Sequence, residues 1–261
     1  MSINRIFILW RHYLYSIKRN KGRLVDIFVW PVLELLVFGF TANFLNQEIE
    51  NEAIKLMAIF LGSLVFWHFF AKISGEVYQQ LFDDVLSKNL KNIIMSPVRV
   101  GEMIIALVVS AGTKLVISMG ILLIVAKIIY GFSLLTDWRY GLLILVLMLW
   151  GVAMGLLISS LLFLMGNKVM TLAWVVTGIV QPFSCVFYSR EILPGIFRTI
   201  SYLVPSSYVF EIYREMVKSE MFNWGVWEVS AGLSGLYFLL GIFLFKYFLK
   251  LSRKTGVLAR I

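Results

Sequence analysis

Residues Gln181–Glu215 read QPFSCVFYSREILPGIFRTISYLVPSSYVFEIYRE, and this stretch decides the kind of fold that the chain adopts. Prolines at 182, 194 and 205 stand among many aromatic residues, with charges at Arg190, Glu191 and Arg198. The stretch is too polar and too often interrupted to be a plain membrane span, yet it is too apolar for a water-facing loop. Irregular backbone is tolerated at membrane depth only where it is buried in protein or lines a cavity. The stretch therefore predicts short, half-embedded helices on one face of a membrane protein.

The whole chain has the composition of an integral membrane protein. Of its 261 residues, 60% are hydrophobic and 15% are charged, with a mean hydropathy of +0.85, whereas soluble domains carry about 25% charged residues. Apolar runs long enough to cross a bilayer, about 20 residues, recur along the chain. We predict an all-α membrane protein with six transmembrane helices in a single domain over residues 1–261. The predicted spans are Leu24–Phe44, Ile54–Ile73, Met103–Ile124, Tyr140–Met165, Val169–Tyr188 and Val226–Phe248.

Charge and cysteine content exclude other classes of protein. The net charge of +9 could suggest nucleic acid as a partner, but lysines and arginines are concentrated in the segments on one side of the spans. This is the positive-inside pattern, which predicts that both termini are cytoplasmic and that no nucleic acid is bound. Cys185 is the single cysteine, which excludes an internal disulfide and a cysteine metal cluster.

The first 23 residues predict a helix that lies in the cytoplasmic membrane interface. From Ile3 to Arg19, basic residues such as Arg5 and Arg11 fall on one helical face, and Phe7 and Trp10 fall on the opposite one. Such sorting is typical of interfacial amphipathic helices. A soluble helix packed on a partner is the alternative.

Residues 76–102 form the one long cytoplasmic connection between predicted spans. Apolar residues recur there at helical spacing around Asp83 and Asp84, and Pro97 is expected to end this helix. Asp84 and Lys88 are four residues apart, a favourable spacing for a helical ion pair. The segment is either a helix by which the membrane protein grips a soluble subunit or a surface helix that only closes the loop.

Three ionisable residues are predicted to lie deep in the membrane, where charge usually signals a function or a paired partner. At about 1.5 Å per residue, Glu34, His68 and Lys114 fall at similar depths. We therefore predict that Glu34 pairs with Lys114 or His68, either as a structural lock or as a substrate or proton site. Lys72 and Glu76 lie near span ends, where snorkelling is the simpler interpretation.

The external region, residues 181–224, predicts either an interfacial cap or a gate over an exit path. Pro182 should break span five, because proline removes a helical hydrogen bond. Short helices are expected over Phe183–Ser189, Ile196–Leu203 and Ser207–Ser219, separated by Pro194 and Pro205. They are predicted to form an external re-entrant helical hairpin between spans five and six. Aromatic residues such as Phe187 and Tyr188 fit the headgroup level.

The chain lacks the motifs of the commonest catalytic sites. It contains no GxxxxGK[ST] phosphate loop, no HExxH and no GxSxG, so we expect no ATP hydrolysis, no metal and no catalytic residues. A membrane-embedded enzyme or scaffold that uses Glu34, His68 and Lys114 without an ATPase is the main rival to transport. A passive channel would require a polar stripe along several spans, and the sequence shows only isolated charges.

Three segments resemble the permease subunit of ABC-2-type exporters, a family of ATP-binding-cassette transporters. They are Asn89-Leu-Lys-Asn-Ile-Ile-Met-Ser-Pro97 with Gly101-Glu102, then Gln181–Tyr188 with Ile192–Pro194, and Val204-Pro-Ser-Ser-Tyr-Val-Phe-Glu-Ile-Tyr-Arg214. The six-span layout and the interfacial first helix agree with that family. The sequence departs from it at Arg190-Glu191, where relatives commonly carry proline and less charge.

The resemblance implies a half-transporter without its own nucleotide site. A second permease copy, as a homodimer or with a related chain, and two ATPase subunits that hold ATP and Mg would complete it in a bacterial or archaeal cytoplasmic membrane. The implied substrate is an amphiphile such as a drug, a lipid or a lipid-linked polysaccharide. The residues implied to couple to the ATPase are Asp83, Asp84, Lys88, Asn89, Asn92 and Pro97. Those of the implied external gate are Pro182, Phe187, Tyr188, Pro194, Pro205, Glu211 and Arg214.

Overall fold

The computed structural model describes the chain apart from residues 1, 20–21, 23–24, 26–28, 48–52, 132–136, 167–168 and 256–261. The described residues are helical and include no strand, which confirms the all-α prediction. The α-helices, in chain order, are α1 (Ile3–Arg19), α2 (Trp30–Gln47), α3 (Ala53–Leu86), α4 (Leu90–Met95), α5 (Val100–Tyr130), α6 (Arg139–Met165), α7 (Val169–Phe183), α8 (Gly195–Ser201), α9 (Pro205–Ser219) and α10 (Trp224–Thr255).

Within the described ranges, four helices are long and apolar enough to cross a membrane. They are Ala58–Leu86, Val100–Tyr130, Arg139–Met165 and Trp224–Ser252. They correspond to four of the six predicted spans, and the chain is a multi-pass membrane protein. The predicted first and fifth spans correspond to the shorter apolar helices Trp30–Thr41 and Val169–Phe183, so the number six stays a prediction.

Helix α3 lies at the centre of the bundle. Of the 18 residues in the most apolar stretch of α3, 78% are buried inside the protein. The corresponding fraction for α10 is 22%, so α10 lies at the periphery. Small residues of α6 let α3 come close. A Cβ added at Gly151 would lie 2.8 Å from the Phe70 carbonyl oxygen, and one added at Gly155 would lie 2.8 Å from that of Ser74. Close backbone approach at small residues is a common way in which membrane helices pack.

The prediction of one separate cytoplasmic helix ended by Pro97 was wrong. Helix α3 continues past the expected end at Ile73 to Leu86, because buried Val77, Leu81 and Val85 extend the same apolar face and no proline intervenes. The chain then turns at Lys88, whose φ is 56°, and α4 follows as a separate helix.

The external region contains two of the three predicted short helices. Pro182 lies inside α7, which ends one residue later, as expected from the lost hydrogen bond. Helices α8 and α9 begin or end within two residues of their predicted bounds. The predicted helix Phe183–Ser189 was wrong: Cys185 has a φ of 54°, and a single 3-10 turn follows at Arg190–Ile192.

Candidate functional site

A cavity of about 410 Å³ lies between α2, α3 and α7. Its volume is within the usual range of small-molecule sites, roughly 300–1,000 Å³. Its lining combines indole rings with charged and amide side chains, including Trp30, Glu34, Trp67, His68, Lys72, Gln79, Trp174 and Gln181. Polar groups among large aromatic ones suit a ligand with both polar and apolar parts.

The Glu34 carboxylate and the His68 imidazole meet at this cavity. Glu34 Oε2 lies 3.1 Å from His68 Nε2, which confirms one of the two predicted pairings. The Trp30 side chain also hydrogen-bonds to Glu34. The Glu34 side chain keeps 32% of its surface exposed, whereas the His68 side chain keeps 8%. The pair therefore joins α2 to α3 while leaving a carboxylate accessible from the cavity.

Lys114 does not belong to that pair, so the pairing of Lys114 with Glu34 was wrong. Its Nζ donates a hydrogen bond of 3.0 Å to Glu76 Oε2, and the exposed fractions of the two side chains are 1% and 3%. The depth estimate failed because α3 extends to Leu86, which puts Glu76 well inside the helix rather than at a span end. Lys72 Nζ approaches the same carboxylate to 4.0 Å, so snorkelling was the wrong interpretation for both residues.

The distance of Lys114 from Glu34 and His68 argues against the alternative of a membrane-embedded enzyme or scaffold that uses all three residues. Glu34, His68 and Lys114 do not form one site, since Lys114 is bound to Glu76 and does not itself line the cavity. Within the described part of the chain, no three histidine, cysteine, aspartate or glutamate side chains come close enough to hold a metal ion.

At the C-terminal end of α3, a polar cluster joins it to α1 and α4. His12 Nε2 lies 2.7 Å from Asp84 Oδ1, and Asn89 Nδ2 lies 3.4 Å from the same imidazole nitrogen. Asn92 donates to the Asn89 side-chain oxygen at 3.3 Å. Asp84 thus contacts His12 and not Lys88, with which its spacing had suggested an ion pair. The helix ends at Leu86, and Lys88 adopts a left-handed backbone conformation, so the two residues no longer have the i, i+4 spacing of a helix.

The remaining predicted coupling residues surround this cluster. Asp83 is half-buried, Lys88 and Pro97 are exposed, and the Pro97 carbonyl accepts a hydrogen bond from Arg5 of α1. Burial raises the pKa of the neighbouring Tyr13 hydroxyl well above its ordinary value, and the charge of Asp84 adds to the effect. The tyrosine therefore stays neutral beside the carboxylate. His12 was missed by the sequence interpretation, although its place on the polar face of α1 was a usable signal.

In the segment between α7 and α8, Arg190 is held between two aromatic rings. Its guanidinium carbon lies 4.2 Å from the ring centroid of Tyr202 and 4.4 Å from that of Tyr208. It also lies 3.3 Å from Glu211 and donates a 2.8 Å hydrogen bond to Ser207. The unusual charge in this segment is therefore neutralised within the protein.

Other predicted gate residues gather around the same segment. Arg214 donates a 2.6 Å hydrogen bond to the Cys185 carbonyl, and burial lowers the pKa of its guanidinium. The Tyr188 hydroxyl donates to the Pro182 carbonyl at 2.7 Å, and Phe187 stacks on Phe38 of α2 at 5.0 Å. Pro194 and Pro205 stand at the N-terminal ends of α8 and α9. The external segment is thus tied to α2 and α7, two of the helices that line the cavity.

A family model described as ABC-2 type transporter matches residues 4–217, which include the residues of the cavity and the polar cluster at the end of α3. No curated protein matches the chain.

Proposed function

The chain belongs to the ABC-2 type transporter family, and we propose that it is the membrane subunit of an ATP-driven exporter that moves an amphiphile out of the cytoplasm. It is a transport subunit of a family that typically works with a separate ATPase. The proposal includes the outward direction of transport, an amphiphilic substrate, an ATPase partner and pairing with a second copy of the chain.

The continuity of α3 is the observation that carries this proposal. One uninterrupted helix of 34 residues bears His68 and Lys72 at the cavity and Asp83 and Asp84 at its cytoplasmic end. At about 1.5 Å per residue, the distance from His68 to Asp84 is roughly 24 Å. A force applied at the cytoplasmic end would therefore displace the cavity wall directly.

The cytoplasmic cluster supports an ATPase-docking surface. Asp84, Asn89 and His12 tie α1, α3 and α4 together, so that these helices would move as a unit. Around them, Lys88, Lys91 and Asn92 of the coupling segment are exposed, as are the apolar side chains of Leu86 and Met95. Exposed apolar side chains beside charged ones are typical of a surface that a partner covers.

The cavity supports an amphiphilic substrate. The charged groups of Glu34, Lys72 and Glu76 would face a polar head, while Trp30, Trp67 and Trp174 offer large apolar faces. ATP-driven closure of the ATPase would displace α4 and α3, move α3 against α2 and α7, and open the route beneath the external segment. The Glu34–His68 contact crosses this moving boundary, so it would have to adjust in each cycle.

Exposed apolar faces on α2 and α7 support pairing with a second permease subunit, which we propose to be another copy of this chain. Val37 and Phe40 of α2 and Trp174 and Ile179 of α7 are more than half exposed. Both termini would lie in the cytoplasm of a bacterium or archaeon, on the side of the positively charged segments.

The decisive experiment is reconstitution of the purified chain in liposomes with and without an ABC ATPase that co-purifies with it. We expect ATP-dependent transport only with the ATPase. Asp84→Ala should abolish coupling, and the control Lys246→Ala, an exposed residue of α10, should transport normally. Full transport without any ATPase, or normal coupling in Asp84→Ala, would overturn the proposal.

A further inference from the structure

Helix α1 exposes an apolar face to its surroundings. The large apolar or aromatic side chains of this helix that are more than half exposed are Ile3, Phe7, Ile8 and Tyr15. At about 3.6 residues per turn they fall within one arc of about 140°, with the exposed Asn4 and Arg11 near its middle. Leu9 and Tyr13, on the opposite side of the helix, are buried against the protein. The exposed arc therefore marks a surface at which α1 meets another molecule.

This face adjoins the apolar surface of α5. Trp10 Nε1 donates a 3.2 Å hydrogen bond to Thr113 Oγ1, and Thr113 lies about 20 Å along α5 from its first residue. Helix α5 is long and apolar enough to cross a membrane. The exposed apolar side chains of α5 that precede and follow Thr113 are Ile105, Val109, Val116 and Ile117. A water-soluble subunit is a poor neighbour for such a surface, so membrane lipid is the molecule that fits this face of α1.

Arg11 differs from the other basic side chains of α1 that the structure describes. Arg5 and His12 are bound to partners within the protein, whereas Arg11 forms no salt bridge within the described part of the chain. Its guanidinium donates a 3.4 Å hydrogen bond to the Tyr15 hydroxyl and lies 5.3 Å from the centroid of that ring. A guanidinium has five N–H donors, so most of them remain for a ligand. An arginine on an apolar, lipid-facing surface suits a phosphate, which it can bind through two N–H groups at once.

We propose that α1 binds the membrane leaflet beside it, with its apolar face among the acyl chains and Arg11 bound to the phosphate of an anionic phospholipid. An anionic lipid fits better than a zwitterionic one, because the ammonium of a zwitterionic headgroup competes with the arginine for the phosphate. One arginine near a membrane surface should enrich anionic lipid roughly fivefold. Arg11 precedes His12, so the headgroup would lie beside the contact that joins α1 to α3. The lipid site does not depend on the proposed transport function.

Spin labels on introduced cysteines test whether lipid covers this face. The chain is purified without an ATPase and placed in nanodiscs that contain equal amounts of phosphatidylcholine and phosphatidylglycerol. The labelled variants are Phe7→Cys and Ile8→Cys, with Val116→Cys of α5 as the lipid reference and Lys91→Cys of α4 as the water reference. The native Cys185 is buried and should react little with the label. We expect the labels on α1 to collide with oxygen more often than with a nickel chelate, as the lipid reference does, and the water reference to show the reverse.

Two results at Phe7→Cys and Ile8→Cys would overturn the inference. Collision with the nickel chelate as frequent as at Lys91→Cys would show that the face meets water. Shielding from both reagents would show that protein covers the face, such as a second copy of the chain.

Lipid-borne quenchers test the role of Arg11. A nitrobenzoxadiazole fluorophore on Ile8→Cys reports on the lipid beside Arg11, because residues three apart are neighbours on a helix. The quencher is a nitroxide on the acyl chain of either phosphatidylglycerol or phosphatidylcholine, added in trace amounts to the same nanodiscs. We expect phosphatidylglycerol to quench roughly fivefold more than phosphatidylcholine. Adding Arg11→Gln should bring this ratio close to one, and Arg11→Lys, which keeps the charge but not the two parallel hydrogen bonds, should restore part of it.

Matched controls separate this site from general effects of charge and folding. The same fluorophore on Leu236→Cys, an exposed position of α10, should show no preference between the two lipids. Arg198→Gln removes an exposed arginine of α8 and should leave the ratio at Ile8→Cys unchanged. Because Arg11 is exposed, Arg11→Gln should also keep the unfolding temperature of the unaltered chain, which distinguishes lost binding from misfolding. Equal quenching by the two lipids when Arg11 is present, or an unchanged ratio in Arg11→Gln, would overturn the inference.

Discussion

Two side-chain pairs, each with one member on α3, differ in how deeply they are buried. Glu76 of α3 and its partner Lys114 are almost completely buried, whereas Glu34, the partner of His68 two turns away, keeps about a third of its side chain exposed to a cavity. Removing one member of a buried pair costs more stability than removing one member of an exposed pair, because it leaves an uncompensated charge in an apolar environment. The comparison suggests that the first pair maintains the bundle and the second serves the ligand. Four substitutions test this division, from the largest expected effect on stability to the smallest.

Lys114→Met should destabilise the protein most. It leaves the buried Glu76 carboxylate without its closest partner, which we expect to lower the free energy of unfolding by about 3–5 kcal/mol. Thermal unfolding in detergent would measure this. Adding Glu76→Leu should recover most of the loss, because the second change removes the orphaned charge. If the double variant is as unstable as the two single variants added together, the pair is not a mutual lock.

Arg190→Lys should have an intermediate effect and extends the comparison to a cation held by aromatic rings. The lysine keeps the charge near Glu211 but loses the planar contact with Tyr202 and Tyr208. We expect a loss of about 1–2 kcal/mol, measured by unfolding and by the rate of proteolysis in the external segment. The control Arg198→Lys changes an exposed arginine and should cost less than about 0.5 kcal/mol. Equal sensitivity of the two variants would contradict a stabilising role for the ring contacts.

Glu34→Gln should change stability by less than about 1 kcal/mol, since the carboxylate is partly exposed and the amide can still accept a hydrogen bond. Transport by the reconstituted complex should nevertheless fall severely. The measurement compares the unfolding midpoint with the ATP-dependent transport rate in the same preparation. A variant that is strongly destabilised but transports normally per folded molecule would reverse the assignment of the two pairs.

Substitution of Asp137, which pairs with Arg139, should have the smallest effect on stability, and this effect should appear only at acidic pH. A 2.6 Å hydrogen bond from the Arg139 side chain and one from its backbone lower the pKa of Asp137. Because the folded-state pKa is depressed, the stabilisation is present above the unfolded value of about 3.9 and is lost as the pH falls below it. Asp137→Asn should flatten this acidic slope slightly while stability at neutral pH changes little. An unchanged slope below about pH 4 would show that the pair contributes nothing.

Much of the fold followed from local pattern. Helix α1 has the predicted bounds, and α6 begins one residue before its predicted start, since long apolar runs and amphipathic faces are regular over many turns. The break after Pro182 was predictable because proline removes a helical hydrogen bond wherever it stands. The length of α3 was misjudged because an apolar stripe continues beyond the expected membrane boundary, where composition alone marks a loop.

The candidate site was only partly predictable. The depth estimate brought Glu34 and His68 to one level, but equal depth does not determine which helices are neighbours. Lys114 therefore received the wrong partner. The sandwich of Arg190 was not foreseen because Tyr202 and Tyr208 lie more than ten residues away along the chain and meet the guanidinium only after α8 and α9 have folded back.

By itself the amino-acid sequence determined that this is a helical membrane protein with a polar connection between two spans and a proline-broken segment between two others, because hydropathy and proline positions act locally; the transporter class came from the resemblance to a known family. Only the tertiary structure decided which charge meets which, since helix neighbours are chosen by packing. That packing buries Glu76 with Lys114, leaves Glu34 partly exposed to a cavity, and connects both pairs to the His12–Asp84–Asn89 cluster through the single helix α3.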